Sequence, residues 1–271
     1  MRQFKLMNAN GQTFDLMRKD AFFHAPAGLG WGLDVESMRA GDTYVVTNRK
    51  PQKPTPSGEI VFAGYAQYDE FMAFAQVGGL VLAYRPRDMW QYLDVDLSIE
   101  KGEIAAESKR LVCAVSFTAS SQWYEQIKAY QAQQEKGDGK VYSYTYPYTY
   151  KSAAAGAVEI ANGNLSSYPK LTIFGPVEDP TWALYQYGKR LSVGTVNITI
   201  PQGNKLVVDM HPATMQIAEY TENGLFVADR YQNSDFTTER IFELPPGDCQ
   251  IVFTQNGIGA VRAFVEVRKR V

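Results

Sequence analysis

Apolar and polar residues alternate along most of this chain, and a spacing of two is that of a half-buried strand. Near the carboxyl end Val261, Ala263, Val265 and Val267 oppose Arg262, Glu266 and Arg268, which predicts one buried face and one wet face. Val196, Ile198 and Ile200 alternate with Asn197 and Thr199, and Pro201-Gln202-Gly203-Asn204 predicts a turn into Lys205–Met210, hence a hairpin. Asn223-Gly224 separates Met215–Tyr220 from Leu225–Tyr231. It is the best short hairpin signal in the chain, because both residues tolerate the left-handed backbone of a tight turn. Pro245-Pro246-Gly247-Asp248 precedes one more strand, Gln250–Thr254. Short strands and frequent turns from about residue 160 to 271 read as a β-sandwich or jelly-roll-like module.

The first half follows the same rule with interruptions. Strands are expected at Thr43–Thr47 and Gly58–Ala63, separated by the Pro-rich loop Lys50–Gly58, which is too polar for a core. Leu80–Tyr84, Tyr92–Glu100 and Arg110–Ala119 read as an antiparallel set, with Lys101–Glu107 as a charged turn. Between them the period changes. Tyr68, Phe71, Met72 and Ala75 are three and four apart, and Gly78-Gly79 can end a helix with a left-handed residue. A second helix is expected after Ser120 and Ser121, with Trp123, Ile127 and Tyr130 on one face and the polar stretch 131–140 as a linker.

In the middle of the chain Tyr142, Tyr144, Tyr146, Tyr148 and Tyr150 fall on every second residue. Extended, the segment carries five phenol rings on one face, and Pro147 fits an edge strand or crossover better than a central strand. It is a candidate seam between two domains or two subunits.

The 271 residues suffice for one large β domain or two ordinary ones, and 45% hydrophobic with 21% charged residues is a globular composition. A net charge of −2 argues against a protein whose main task is gripping nucleic-acid phosphates, though it allows DNA to pass through a neutral or acidic channel. The opening residues lack the apolar run of a signal peptide, and no later stretch has the apolar length of a membrane span, so cytoplasmic synthesis and folding are expected. Cys113 and Cys249 sit among alternating apolar residues and read as buried free thiols.

Catalytic chemistry finds little support. His24 and His211 are the only histidines, and neither has a second ligand at metal spacing, so no metal or cofactor is expected. His211, before Pro212 at a strand end, reads as a structural histidine. No Gly-x-Ser-x-Gly, P-loop, Gly-x-Gly-x-x-Gly or Cys-x-x-Cys pattern occurs. Asp94 and Asp96 share a strand face and could imitate a glycosidase acid pair; a solvated face is the better reading. Gly28, Gly30 and Gly32 suggest a tight backbone passage rather than a phosphate cradle, since no helix follows.

The order of landmarks carries more information than any one of them. The chain runs FKLMNANGQTFDL, FFHAPAGLGWG, GEIVFAGYAQYDEFMAF, LVLAYRP, YLDVDLSIEKGEI, SQWYE, SSYPKLTIFGPVEDP, ENG and LPPGD. Over nearly its whole length this resembles the distal tail (Dit) proteins of siphophages that infect Gram-positive hosts. The pattern departs at Asp179, where Asn is commoner in the turn, but either residue makes the same side-chain turn bond.

The resemblance implies a mainly β protein: an N-terminal tail-tube-like β-sandwich with a helix and a belt hairpin, and a C-terminal galectin-like β-sandwich projecting outward. Carried onto this chain, it implies a ring-forming belt domain at 1–135, a tyrosine-rich linker strand at 136–150 and the galectin-like domain at 151–271. The helix falls at Tyr68–Val77 and the belt hairpin within Leu80–Ser116. A non-enzymatic structural hub is implied, a homohexameric ring at the distal end of the virion tail with a lumen for DNA. Its implied partners are the major tail tube protein, a tail-associated lysin or fibre hub protein, and a receptor-binding protein, with no membrane contact and no sequence-specific DNA binding. Assembly contacts are expected at Tyr68, Phe71, Lys101, Glu103 and the five alternating tyrosines. The residues alone leave a monomeric two-domain protein equally open. An alternative function is a carbohydrate-binding module for host-surface recognition, with Trp182, Tyr185 and Tyr187 as stacking rings. A cell-wall hydrolase lacks its acid, base and metal.

Overall fold

The computed structural model describes residues 2–105, 107–130, 156–257 and 260–270. They form strands almost throughout, in two compact units, Met1–Glu125 and Gln126–Arg270. The boundary falls inside the strand Tyr124–Tyr130. Tyr124 pairs with Tyr92 of the first unit, while Ile127 and Ala129 pack on the core of the second. The five alternating tyrosines lie outside the described residues.

In the first unit the strands run in the order Thr13–Asp15, Gln3–Met7, Leu80–Arg85, Gln91–Ile99, Leu111–Ala119, Ser57–Phe62 and Ala21–Ala27, all antiparallel. A bridge between Met17 and Phe22 brings the two ends of this sheet together, so it curls around its own core. Alternation decides what faces inward: Leu111, Cys113, Val115, Phe117 and Ala119 are buried and the residues between them are not. The helix Tyr65–Ala75 covers this core with one face, Phe71 fully buried and Tyr68, Met72, Phe74 and Ala75 packed beside it. Phe71 meets Phe14 edge-on at 5.1 Å and Phe62 at 5.5 Å. Each fully buried ring contributes roughly 1.5–3 kcal/mol. Gly78 and Gly79, at φ 77° and 58°, end the helix in the left-handed region, as their sequence predicts.

Two sequence expectations fail in this unit. No helix forms after Ser120; Tyr124–Tyr130 is a strand, and the serines tie to Asp94 instead. Ser121 Oγ accepts the Asp94 N–H at 3.0 Å, and Ser120 Oγ donates to the Asp94 carbonyl at 3.2 Å. The loop 50–58 also enters the packing, for Pro54 and Pro56 are buried. The Pro56 carbonyl accepts the Phe117 N–H at 2.8 Å, and a Cβ at Gly28 (φ 69°) would stand 2.1 Å from the Thr55 carbonyl oxygen. That passage is what the glycine run supplies.

The second unit is a β-sandwich. One sheet runs Phe226–Asp229, Gln216–Thr221, Asn204–Asp209, Pro169–Phe174, Arg262–Arg270 and then Tyr124–Tyr130; the other runs Gly156–Ala161, Asp248–Thr254, Thr181–Gln186 and Lys189–Thr195. Their facing side chains make one core, with Trp182, Ile251, Phe253 and Ile160 meeting Leu171, Ile173, Leu206, Val208 and Val265. Trp182 is the largest fully buried side chain among the described residues, and Gly194 opposite leaves it room, since a Cβ there would lie 2.6 Å from the ring. The Asn223-Gly224 hairpin forms as expected. The Pro201–Asn204 turn forms too, but the strands it joins separate: Thr199–Ile200 pairs with Val177–Glu178, and Asn204–Asp209 pairs elsewhere. Val196 instead bridges Ser234. Near the edge of the first sheet the buried Glu219 carboxylate accepts Arg230 at 2.6 and 2.9 Å and Asn204 Nδ2 at 2.5 Å, which satisfies the charge where water is absent.

Candidate functional site

The least buried regular structure in the first unit is an antiparallel hairpin of Leu33–Ala40 and Thr43–Pro51, a sheet of its own. Only Asn48 in its strands is even half-covered. Its order comes from within. Thr47 Oγ1 donates to the Glu36 carbonyl at 3.1 Å, Asn48 Nδ2 donates to Glu36 Oε2 at 3.2 Å, and Thr43 Oγ1 donates to the Ala40 carbonyl at 3.0 Å. Gly41, at φ 64°, turns the tip, and a bulge at Glu36/Ser37 sharpens the twist. At the base, Gln52 N–H donates to the Gly32 carbonyl at 2.8 Å, and Gln122 Nε2 to the Gln52 carbonyl at 3.3 Å.

The register sorts this outer hairpin into two unlike faces. Leu33, Val35, Ser37 and Arg39 lie with Pro51, Arg49, Val46 and Tyr44; Asp34, Glu36, Met38 and Ala40 lie with Lys50, Asn48, Val45 and Thr43. One face is therefore apolar and basic, the other mixed in charge toward the base, where Asp34 and Glu36 lie with Lys50, and apolar toward the tip. Tyr44 is 73% exposed, Met38 62% and Val35 51%. Single exposed apolar residues are ordinary, but here several stand on one unsupported ribbon.

The other expected assembly residues divide. Phe71 belongs to the core and is not a surface contact, its ring being enclosed by Phe14, Phe62 and Phe74. Tyr68 and Lys101 come together, the Lys101 ammonium standing 5.4 Å from the Tyr68 ring and 5.0 Å from that of Tyr65. Glu103 is exposed nearby in sequence and offers its carbonyl to Val112 N–H at 3.5 Å. The helix is pinned on its polar side by Arg18, which bonds Asp20 at 2.7 Å and Glu70 at 2.9 Å. Those bonds raise the Arg18 pKa and lower that of Asp20. The segment Leu80–Ser116, where the resemblance puts the belt hairpin, holds three strands integral to the curled sheet. The freely exposed hairpin is the earlier one, Leu33–Pro51. Its first strand lies outside the strands that the alternation predicts, although Gly41-Asp42 between alternating residues is a hairpin signal.

The proposed sugar-stacking trio is dispersed. Trp182 is fully buried, with Nε1 donating to the Arg240 carbonyl at 3.1 Å. Tyr185 is half-buried, and only Tyr187, 88% exposed in a turn at φ 51°, presents a free ring. Among the described residues no group of three or more His, Cys, Asp or Glu could hold a metal ion. Asp96 is solvated, and Asp94 accepts the Tyr124 hydroxyl at 2.9 Å. Cys113 and Cys249 are free and buried; burial raises the Cys249 thiol to about 11.

Residues 3–120 match the family model described as the distal tail protein, N-terminal domain. The first unit is similar to the N-terminal domain of the distal tail proteins. The likeness of fold extends over both units. The chain superposes on a protein of the phage P2 baseplate, solved in its activated conformation with calcium, at TM-score 0.70 and 14% identity, covering 100% of this chain and 99% of that one. It superposes on the Dit protein of phage SPP1, described as a paradigm of the hub adsorption apparatus in phages infecting Gram-positive hosts, at TM-score 0.64 and 11% identity, covering 99% of each. No curated protein matches it in sequence. The outer hairpin of the first unit is among its most exposed regular structure.

Proposed function

We propose that this protein is the hub at the distal end of a phage tail, assembled as a hexameric ring that joins the tail tube to the host-adsorption apparatus and leaves a channel for DNA. The match of residues 3–120 to the distal tail protein domain carries the reading. The outer hairpin supplies a physical means. Its unlike faces suit a heterologous contact, in which one copy's apolar and basic face meets a different surface of the next, and such contacts close into a ring when the rotation allows. Around that ring the tail tube protein, a tail-tip lysin or fibre hub protein and a receptor-binding protein are the partners, and the location is the virion tail. The role is structural.

The test is negative-stain imaging of the purified chain, alone and mixed with its tail-tip partner. Six-fold rings are expected in at least one sample. Monomers alone in both would overturn the ring.

A further inference from the structure

The first sheet of the second unit ends on Phe226–Asp229, a strand that pairs on one side only among the described residues. Three successive large apolar residues are uncovered there: Leu225 at 70%, Phe226 at 63% and Val227 at 44% exposure. The outward backbone is open as well. Arg230 N–H donates to the Ile217 carbonyl and Thr221 N–H to the Leu225 carbonyl, both at 2.8 Å, so antiparallel alternation turns the main-chain groups of Phe226 and Asp229 away from the sheet.

Two other edges among the described residues carry charges. Lys189–Thr195, which ends the second sheet, begins with exposed Lys189 and Arg190, and Thr13–Asp15 carries exposed Asp15. Charges of that kind discourage strand addition. Phe226–Asp229 has none until its last residue, yet it is firmly built: Arg230 clamps it to buried Glu219, and the Phe226 ring sits edge-on to Tyr220 at 5.8 Å. A rigid, open and apolar edge is a template for another strand.

We infer that this edge receives an added β-strand from another protein of the tail. The segment is extended, apolar where it lies on Leu225 and Phe226, and carries Lys or Arg where it meets exposed Asp229. The identity of that partner as a tail component rests on the hub reading above; the edge itself does not. A folded second copy is the poorer occupant, because a strand of four residues cannot approach the roughly 1,200 Å² of a stable protein–protein interface. A single strand needs only the main-chain bonds and a few side-chain contacts.

The experiment uses assembled tails in which benzoylphenylalanine replaces Phe226, with the crosslinked peptide identified by mass spectrometry after irradiation. The expected product joins position 226 to one contiguous segment of a different tail protein. A parallel Phe226→Lys chain is expected to keep its rings while that protein falls at least tenfold in the tails. Crosslinking to a second copy, absence of a crosslink, or full retention of every tail protein by Phe226→Lys tails would overturn the inference. Should Phe226→Lys lose its fold, the crosslink alone decides. Rings absent from the unmodified chain, with the crosslink present, would remove the hub reading and leave the added strand standing.

Discussion

Two hairpins of the first unit are made from similar alternating residues and have opposite fates. Leu80–Arg85 with Gln91–Ile99 is flanked by Gln3–Met7 on one side and Leu111–Ala119 on the other, and its Leu82 and Leu93 are fully buried. Leu33–Ala40 with Thr43–Pro51 has no sheet neighbour among the described residues, and its Val35, Met38, Tyr44, Val45 and Val46 face solvent. The packed hairpin is ordered by burial, the outer one by its own hydrogen bonds. Apolar residues in the first stabilise the fold, whereas those in the second do little for it. In the proposed ring their contribution comes when a neighbouring copy covers them.

Mutations should separate these roles. The largest effect on folding is expected in the packed hairpin, where Leu82→Ala or Leu93→Ala removes a fully buried side chain and costs about 2–5 kcal/mol, read by thermal or urea unfolding. In the outer hairpin Val35→Glu with Val46→Glu should leave stability within about 0.5 kcal/mol, as exposed substitutions do. The same pair should weaken ring assembly by about 2 kcal/mol, roughly 30-fold, measured by sedimentation. Equal losses of stability from both hairpins would break the comparison. A smaller effect is expected from Lys101→Ala, which removes contacts over Tyr65 and Tyr68 worth about 0.5–1 kcal/mol at an exposed site. The thiols provide the finest gauge. Cys113 labelling should be unchanged in the outer-hairpin variant and faster in Leu82→Ala, while Cys249, protonated at pH 8 because burial raises it to about 11, should react only when the second unit opens.

The sequence is legible where local chemistry and burial agree. Asn223-Gly224, Gly78-Gly79 and the Val261–Val267 alternation are each realised, because the turn residue or the periodicity alone dictates the backbone. It misleads where a tertiary partner decides. Trp123, Ile127 and Tyr130 have helical spacing, yet Ser120 and Ser121 bond to Asp94 and commit the following residues to a strand. Trp182 resembles a surface ring beside Tyr185 and Tyr187, but Gly194 admits it to the core. The outer hairpin was half legible, as Thr43–Thr47 reads as a strand while Leu33–Ala40, rich in Asp34, Glu36 and Arg39, has too little apolar content to stand out.

The central claim is that the outer hairpin joins neighbouring copies. Native mass spectrometry of the intact chain beside its Val35→Glu/Val46→Glu variant tests it most directly. The account predicts a six-copy mass for the unmodified chain and a single-copy mass for an equally stable variant. A six-copy mass from both would contradict it.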